Sequence, residues 1–314
     1  ALWYDDTQSQ MYNTLNVNSS RFEAVSYVMS TNDHDLMQAD NSFTFRNCTG
    51  YAGVCGISNV ENEYTSGGNC IRIGTSGSPT SGTLECLIEN CNFYGGTKTS
   101  DRNIFSSGVE NYGYELTINN SNIQAGQLAV MNGISHTRTS VANITGNTTI
   151  SKSNLGIWNE GIVNQSGGTI TDNKGDVAQN DTSYSGVYQN GTYNISGNAK
   201  ISGNCVYLTK GHVINRSGNW TPSKIILTTS LDDRVIGREL ATNFASQSSY
   251  FDLAYGASGT KAHACSVYNP GTTTFTFDKA FDGNQVGIRP SMGTEASKSL
   301  YLSGEYNISY EPNK

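Results

Sequence analysis

Two nine-residue segments of the sequence are nearly identical. Residues 143–151 read NITGNTTIS and residues 194–202 read NISGNAKIS, which agree at six of nine positions. A longer pair, residues 156–173 and 186–204, aligns with one inserted position, and residues 88–93 resemble residues 118–123 at the same sequence offset. Repeats of about 20–50 residues are typical of chains that stack one structural unit on the next. The sequence therefore predicts a solenoid.

The repeated unit is built from strands and not from helices. Its apolar residues occur in short runs with period two, and Gly or Asn separates these runs. The chain has 34 Gly and only 5 Pro, and Gly and Asn both accept the left-handed backbone of tight turns. We predict an all-β, right-handed parallel β-helix. Ile150 and Ile201 should stack inside it, and Asn147 and Asn198 should occupy equivalent turns.

The ends of the chain lack the Asn-Gly repeat, so we divide it into three parts. We predict an N-terminal cap segment at residues 1–40, the parallel β-helix at residues 41–230, and a β-rich C-terminal cap or last rungs at residues 231–314. Caps are expected because the open ends of a solenoid expose unpaired strand edges.

Charge and hydropathy exclude two classes of partner. The formal net charge is −7, and residues 1–97 hold ten acidic residues against three Arg and no Lys. Binding to nucleic acid needs a basic surface, so we predict no nucleic-acid partner. No apolar run approaches the roughly 20 residues of a membrane span, so we predict no membrane insertion within this chain.

Five of the seven cysteines fall between residues 48 and 91. Cys48 and Cys91 share a repeat position and could form a disulfide if their rungs were adjacent, while Cys48–Cys55 is the local alternative. Another interpretation treats the cysteines as small buried apolar residues. No Cys-x-x-Cys occurs, and we predict neither a metal site nor a cofactor. The disulfide candidates are Cys48, Cys55, Cys86 and Cys91.

Carboxylates give little indication of catalysis. Asp232-Asp233 is an adjacent pair, but Arg234 follows it, and we interpret the segment as a turn with a local salt bridge. Glu85 and Glu89 share one face of a predicted strand, where calcium binding is possible but protection of a solvated edge is the favoured interpretation. We therefore assign no catalytic residue.

Aromatic residues give the candidate binding surface. Trp158 and Tyr188 occupy matching repeat positions and should stack on one face of the solenoid, with Tyr184 and Tyr112 extending that surface. Stacked aromatics on such a face could bind a sugar ring or a protein. The alternative, that they fill the core beside the inward Ile and Val positions, is favoured because aromatics at strand spacing are usually buried.

Three segments also carry a resemblance to a known group of proteins. GGTITDN (167–173), NISGNAKISGN (194–204) and CVYLTKGHVI (205–214) resemble the β-helical repeats of large surface proteins of Gram-positive gut bacteria. The resemblance is good over about residues 155–240 and weak before about residue 85. It implies the pectin-lyase-like fold, an adhesin-like role and an extracellular location, either secreted or attached to the cell wall.

These observations favour a non-enzymatic surface or secreted module that binds a host protein or a glycan. Immunoglobulin is the specific candidate that the resemblance suggests. One alternative is a polysaccharide lyase or glycoside hydrolase of the same fold, and another is a structural stalk. We lean away from an enzyme because no carboxylate pair has the partners that catalysis needs.

Overall fold

The computed structural model describes residues 2–5, 10–24, 26–32, 38–53, 68–74, 81–96, 106–134, 138–175, 185–229, 233, 238–244, 250–255, 266–267, 286–290 and 299–304. These residues form strands and turns, and no α-helix occurs among them. The strands form three largely parallel sheets, so the predicted right-handed parallel β-helix is confirmed. None of the described segments is a helix that could span a membrane.

Each rung of the solenoid contributes one strand to each sheet in turn. The first four rungs comprise β1 (Leu2–Asp5), β2 (Gln10–Asn18), β3 (Arg21–Ala24), β4 (Tyr27–Asn32), β5 (Gln38–Arg46), β6 (Thr49–Ala52), β7 (Asn69–Ile73), β8 (Leu84–Glu89), β9 (Asn92–Tyr94), β10 (Ser107–Asn111), β11 (Glu115–Asn119) and β12 (Asn122–Gln124). The next three comprise β13 (Leu128–Asn132), β14 (Val141–Thr145), β15 (Thr149–Ser151), β16 (Leu155–Asn159), β17 (Ile162–Gln165), β18 (Thr169–Thr171), β19 (Val187–Gln189), β20 (Thr192–Gly197) and β21 (Lys200–Ser202). The remaining strands are β22 (Cys205–Leu208), β23 (Ile214–Trp220), β24 (Ile225–Thr229), β25 (Glu239–Thr242), β26 (Phe251–Tyr255), β27 (Ser266–Val267), β28 (Val286–Pro290) and β29 (Leu300–Gly304).

The three sheets run along the solenoid axis. Sheet A has the order β1-β4-β7-β10-β13-β16-β19-β22-β24-β26-β27, and sheet B has the order β2-β5-β8-β11-β14-β17-β20-β23-β25-β29-β28. Sheet C is shorter and has the order β3-β6-β9-β12-β15-β18-β21. Neighbouring strands in such sheets lie about 4.8 Å apart, so each rung covers the apolar side chains of the rung before it.

The strand register confirms the repeat alignment. Ile150 pairs with Ile170, and Ile170 pairs with Ile201, so the three form one inward column in sheet C. All three side chains are fully buried. Asn147 and Asn198 both lie two positions before paired residues of sheet C, which places them in equivalent turns. Burial of each Ile contributes about 1.5–3 kcal/mol to the free energy of unfolding.

A buried ladder of amides joins sheet A to sheet B. Asn111 Nδ2 donates to Asn132 Oδ1 at 3.0 Å, Asn132 Nδ2 donates to Asn159 Oδ1 at 2.9 Å, and Asn159 Nδ2 donates to Gln189 Oε1 at 2.8 Å. Each Asn also donates to a backbone carbonyl at the start of the sheet B strand of the next rung, for example Asn132 to Ile162 O at 3.0 Å. All four amide side chains are fully buried. The ladder satisfies turn carbonyls that would otherwise be buried without a donor.

The turns between sheets B and C are short, and the early ones have a fixed pattern. In three successive rungs the first turn residue is an Asn in the left-handed backbone region: Asn47, Asn90 and Asn120, with φ of 53°, 54° and 49°. Among residues other than Gly, Asn tolerates this conformation well because its short side chain can form local hydrogen bonds. These turns keep sheets B and C close together along the solenoid.

The second residue of these turns is a cysteine in two of the three rungs. Cys48, Cys91 and Ser121 occupy the same position in successive rungs, and each donates its S–H or O–H to the carbonyl two positions earlier. Ser121 Oγ in turn accepts the Cys91 N–H at 3.0 Å, and Cys91 Sγ accepts the Cys48 N–H at 3.4 Å. Burial raises the pKa of the Cys91 thiol to about 11, which keeps its proton in place as a donor.

The disulfide candidates can be placed on this pattern. Cys48 and Cys91 do lie on adjacent rungs, but both are free thiols in the structure and substitute for the Ser hydroxyl of the next rung. Cys86 is a free thiol that is buried on β8, as expected of a small apolar residue. Cys55 lies outside the described residues.

The ends of the solenoid differ from each other. In the predicted cap segment, residues 1–40, strands β1, β2 and β3 pair in parallel with β4, β5 and β6, so its described part forms the first rung and the beginning of the second. In residues 231–314, β26 continues sheet A in parallel and is followed by antiparallel pairing of β26 with β27. β25 likewise pairs in an antiparallel way with β29, and β29 with β28. The described strands of the C-terminal part thus pair partly in parallel and partly in an antiparallel way.

Candidate functional site

The outer face of sheet A carries a row of side chains that runs along the solenoid. Successive strands place one outward residue each in register: Ser30, Arg72, Glu110, Met131, Trp158, Tyr188, Tyr207 and Thr228. Polar residues lie toward the N-terminal rungs, and the large apolar residues lie in the middle. This row is the candidate site.

Aromatic rings stack on each other in the middle of the row. The ring centroids of Trp158 and Tyr188 are 4.3 Å apart with planes at 28°, and those of Tyr188 and Tyr207 are 5.6 Å apart at 7°. Tyr112, just after β10, contacts Met131 through a 3.1 Å separation of its hydroxyl from Met131 Sδ. We call Tyr112, Met131, Trp158, Tyr188 and Tyr207 the aromatic stripe.

The favoured interpretation of Trp158 and Tyr188 as core residues is wrong. Both side chains are half-buried, whereas their chain neighbours Ile157 and Val187 are fully buried. Because side chains alternate across a strand, inward Ile157 and Val187 place the following aromatics on the outer side. The predicted stacking of Trp158 on Tyr188 is confirmed by their register and ring geometry.

The central ring of the stack has no open face. Tyr188 is covered on one face by Trp158 and on the other by Tyr207. Burial, and then the charge of Glu160, raises the pKa of Tyr188, so its hydroxyl stays protonated at neutral pH. Trp158 Nε1 is a buried donor with no hydrogen-bond partner among the described residues. A buried donor without a partner lowers the free energy of unfolding.

A buried carboxylate lies at the polar end of the row. Glu110 Oε1 accepts hydrogen bonds from Asn69 Nδ2 and Ser107 Oγ, each at 3.0 Å. Its Oε2 lies 3.7 Å from Arg72 Nε, and the Arg72 guanidinium lies 5.6 Å from the centre of the Tyr112 ring. Burial raises the pKa of Glu110 despite the positive charge of Arg72.

Over the first seven rungs, the longest connections of the chain adjoin strands of sheet A. Segments 54–67, 97–105 and 176–184 each precede a strand of this sheet, and segments 33–37, 75–80 and 135–137 each follow one; all six lie outside the described residues. The candidate Tyr184 belongs to one of them and is therefore not described. The turns between sheets B and C contain only two or three positions in these rungs. Variation in rung length is thus concentrated at the ends of the sheet A strands.

Part of the stripe carries a signal that can be read in the sequence. An aliphatic residue precedes a large outward residue in Val130-Met131, Ile157-Trp158, Val187-Tyr188 and Val206-Tyr207. The repeat alignment identified the middle two pairs but missed Met131 and Tyr207. Arg72 and Glu110 also follow aliphatic residues, Ile71 and Val109, but their strands are separated by a longer stretch of chain than the two strands that carry Trp158 and Tyr188, so the repeat spacing does not align them.

Of the adjacent carboxylates Asp232 and Asp233, the structure describes Asp233. Asp233 is buried and its Oδ2 accepts from Arg238 Nε at 2.6 Å, so among the described residues its salt bridge is formed with Arg238. Arg238 also donates to the carbonyls of Thr209 and His212, which ties together connections of two rungs. Asp232 and Arg234 lie outside the described residues.

The structure also describes the two glutamates of β8, Glu85 and Glu89. Glu89 pairs with Arg46 at 2.9 Å on the outer face of sheet B, and this hydrogen bond lowers its pKa. Glu85 faces Glu115 on the next strand of the same sheet and is exposed. The salt bridge and the exposure match the interpretation of a solvated charged surface.

We expect Asp233→Asn to lower the free energy of unfolding by about 2 kcal/mol, because a hydrogen bond to a charged group becomes a neutral one inside a buried pair. Denaturant unfolding measures this change. The matched control is Glu23→Gln in the exposed Arg21–Glu23 pair, where no measurable change is expected. Equal stability of Asp233→Asn and wild type would contradict a structural role for this ion pair.

Comparisons with known proteins found no match. No protein-family model matches the chain, and neither a curated protein nor a solved structure matches it. Function is therefore argued from the geometry of this surface.

Proposed function

We propose that this chain is a non-enzymatic binding module that holds a protein partner on the outer face of sheet A. The observation that carries the proposal is the aromatic stripe, a continuous row of half-buried large side chains on the outside of a rigid sheet. An apolar row that its own chain covers only in part is a surface that a partner can bury further. Trp, Tyr, Met and Arg are the residues that protein interfaces favour.

The ring geometry favours a protein over a glycan on this face. A sugar packs its C–H groups against an open aromatic face, where the quadrupole is negative. Here both faces of Tyr188 are occupied by neighbouring rings. The half-buried ring edges and the Met131 side chain offer an apolar rim, which suits packing against the apolar groups of a protein surface.

The class of partner and the location rest on the resemblance found in the sequence. That resemblance implies a surface-attached or secreted protein of a gut bacterium with an adhesin-like role. It makes a host protein the expected partner and immunoglobulin the first one to test. A rigid solenoid offers a broad lateral platform for such a partner.

Replacement of Trp158 and Tyr188 by Ala should weaken capture of purified immunoglobulin by at least about 100-fold, since large interface aromatics each contribute about 2 kcal/mol or more. Surface plasmon resonance on the immobilised chain measures the affinity. Tyr51→Ala is the matched control, because Tyr51 is also half-buried, outward and stacked, but on sheet C. Asp232→Asn with Asp233→Asn should leave capture intact.

The melting temperature of each variant separates binding from folding. If the double Ala variant is destabilised, Tyr188→Phe removes only the hydroxyl and keeps the stack. Unchanged affinity in every folded stripe variant would place the interface elsewhere. Failure of the wild-type chain to retain immunoglobulin or any other serum protein would instead favour a structural stalk.

A carbohydrate-active enzyme is the second candidate, and Glu110 is the observation that favours it. Burial raises the pKa of Glu110, as a general acid requires, and the residue lies on the same outer face as the stripe. Glycoside hydrolysis would need a second carboxylate about 5–10 Å away. Turnover of a polysaccharide that is abolished by Glu110→Gln would establish this alternative and contradict the non-enzymatic proposal.

A further inference from the structure

A cavity of about 220 Å³ opens at the corner where sheet C leads into sheet A. Tyr94 and Gln124, at the ends of β9 and β12, line one side of it. Lys152, Asn154 and Lys174, from the connections that follow β15 and β18, line the other. The cavity belongs to a different surface from the aromatic stripe. Drug-sized ligands occupy about 300–1,000 Å³, so this cavity suits one small polar unit.

The charge of the cavity is unusual for this chain. The described residues that line it include two Lys and no carboxylate, although the chain as a whole has a net charge of −7. Neither ammonium group belongs to an ion pair within the part of the chain that the structure describes. Two cations around one small cavity attract an anionic group.

The uncharged residues that line the cavity restrict the class of ligand further. Asn154 is 4% exposed, and its Oδ1 is buried without a hydrogen-bond partner among the described residues. A carboxamide oxygen can only accept, so its partner must donate a hydrogen bond. An inorganic anion such as sulfate has no donor to offer, whereas a sugar hydroxyl does.

One aromatic ring completes the lining. Tyr94 stacks on Tyr51 at 4.9 Å, which is its one ring contact among the described residues, and the next residue in its row is Gln124 and not another aromatic. The second face of the Tyr94 ring is therefore not covered by a neighbouring ring, unlike the faces of Tyr188 in the stripe. An aromatic face beside amides is the lining that a sugar ring requires.

We propose that this cavity binds a single saccharide unit that carries an anionic group. Lys152 and Lys174 bind the anion, Asn154 accepts from a hydroxyl, and Tyr94 packs against the ring. Carboxylated and sulfated sugars share this chemistry. The site does not depend on the protein partner of sheet A, and the variant with Trp158→Ala and Tyr188→Ala should bind the same sugar as well as wild type does.

Isothermal titration of the full chain tests the proposal with matched probes: methyl glucuronide, methyl glucoside, glucose 6-sulfate and inorganic sulfate. Methyl glucuronide and methyl glucoside differ only at the charged group, and we expect the glucuronide to bind at least about tenfold more tightly. Glucose 6-sulfate compared with the glucuronide shows which anion the site prefers. Inorganic sulfate should bind more weakly than either charged sugar.

Variants assign the binding to this cavity. Lys152→Gln and Lys174→Gln should each weaken binding of the preferred charged sugar by about tenfold. Lys200→Gln, on the outer face of sheet C but outside the cavity lining, should have no effect. Asp172 occupies the position of Lys152 in the next rung and is exposed. Its negative charge opposes binding of an anion, so Asp172→Asn should tighten binding of the charged sugar.

Four results would overturn the proposal. The first is equal affinity for the glucuronide and the glucoside, and the second is charged-sugar binding that survives both Lys variants. The third is sulfate ion binding as tightly as the charged sugars, which would reduce the cavity to a general anion site. Absence of heat with every probe at tens of millimolar would also reject it. None of these results would affect the proposal that a protein partner binds the outer face of sheet A.

Discussion

Ile150→Asp should abolish the cooperative unfolding transition of the middle rungs. Ile150 is fully buried in the inward column of sheet C, in direct register with Ile123 and Ile170. An unpaired carboxylate at this position loses the Ile burial and adds desolvation of a charge, for a total of several kcal/mol. That is comparable to the whole margin of about 5–15 kcal/mol of a folded domain.

Circular dichroism during thermal and denaturant unfolding measures the effect. The matched control is Thr149→Asp, because Thr149 lies on the same strand but faces outward and is half-buried. We expect the control to keep a cooperative transition close to that of wild type. Equal damage from both variants would contradict the assignment of inward and outward faces on sheet C.

Asn132→Leu should lower the free energy of unfolding by about 3–5 kcal/mol, because each buried polar group that is left unsatisfied costs about 1–3 kcal/mol. Leu is similar in size to Asn but has no amide group, so the substitution removes the middle member of the buried amide ladder. Asn159 Oδ1 and the carbonyl of Ile162 then lose the donor that Asn132 provides at 2.9 and 3.0 Å. Denaturant unfolding measures the loss.

The control for the ladder is a second row of amides on the outer face of sheet B. There Asn164 Nδ2 donates to Asn143 Oδ1 at 2.9 Å, but both residues are half-buried and accessible to water. Water can replace the lost bonds, so Asn143→Leu should cost less than about 1 kcal/mol. Similar losses in the two variants would show that the buried ladder adds nothing beyond a surface hydrogen bond.

The sequence was sufficient to predict the fold wherever successive rungs have similar lengths. Ile88 pairs with Ile118 and Ile157 pairs with Val187, at equal separations along the chain, so the repeat alignment matched these rungs correctly. The rung that runs from β7 to β10 is much longer, and the rung from β10 to β13 is much shorter. Periodicity fails across such changes, which is why Arg72 and Glu110 were not brought together.

Side-chain roles were harder to predict than strand positions. Trp158 and Tyr188 were aligned correctly but placed in the core, because composition alone does not show which side of a strand meets solvent. Cys48 and Cys91 were aligned correctly but considered for a disulfide. Only the hydrogen bonds show that a thiol occupies the place that Ser121 takes one rung later.

Hydroxyl-radical footprinting of the chain with and without bound immunoglobulin tests the central claim directly, since Met, Trp and Tyr side chains report their own exposure to solvent. We expect protection of Met131, Trp158 and Tyr188 in the complex, with Tyr51 and Tyr94 on sheet C unchanged as internal references. Protection of the sheet C tyrosines with an unprotected stripe, or a captured partner that protects neither surface, would contradict it.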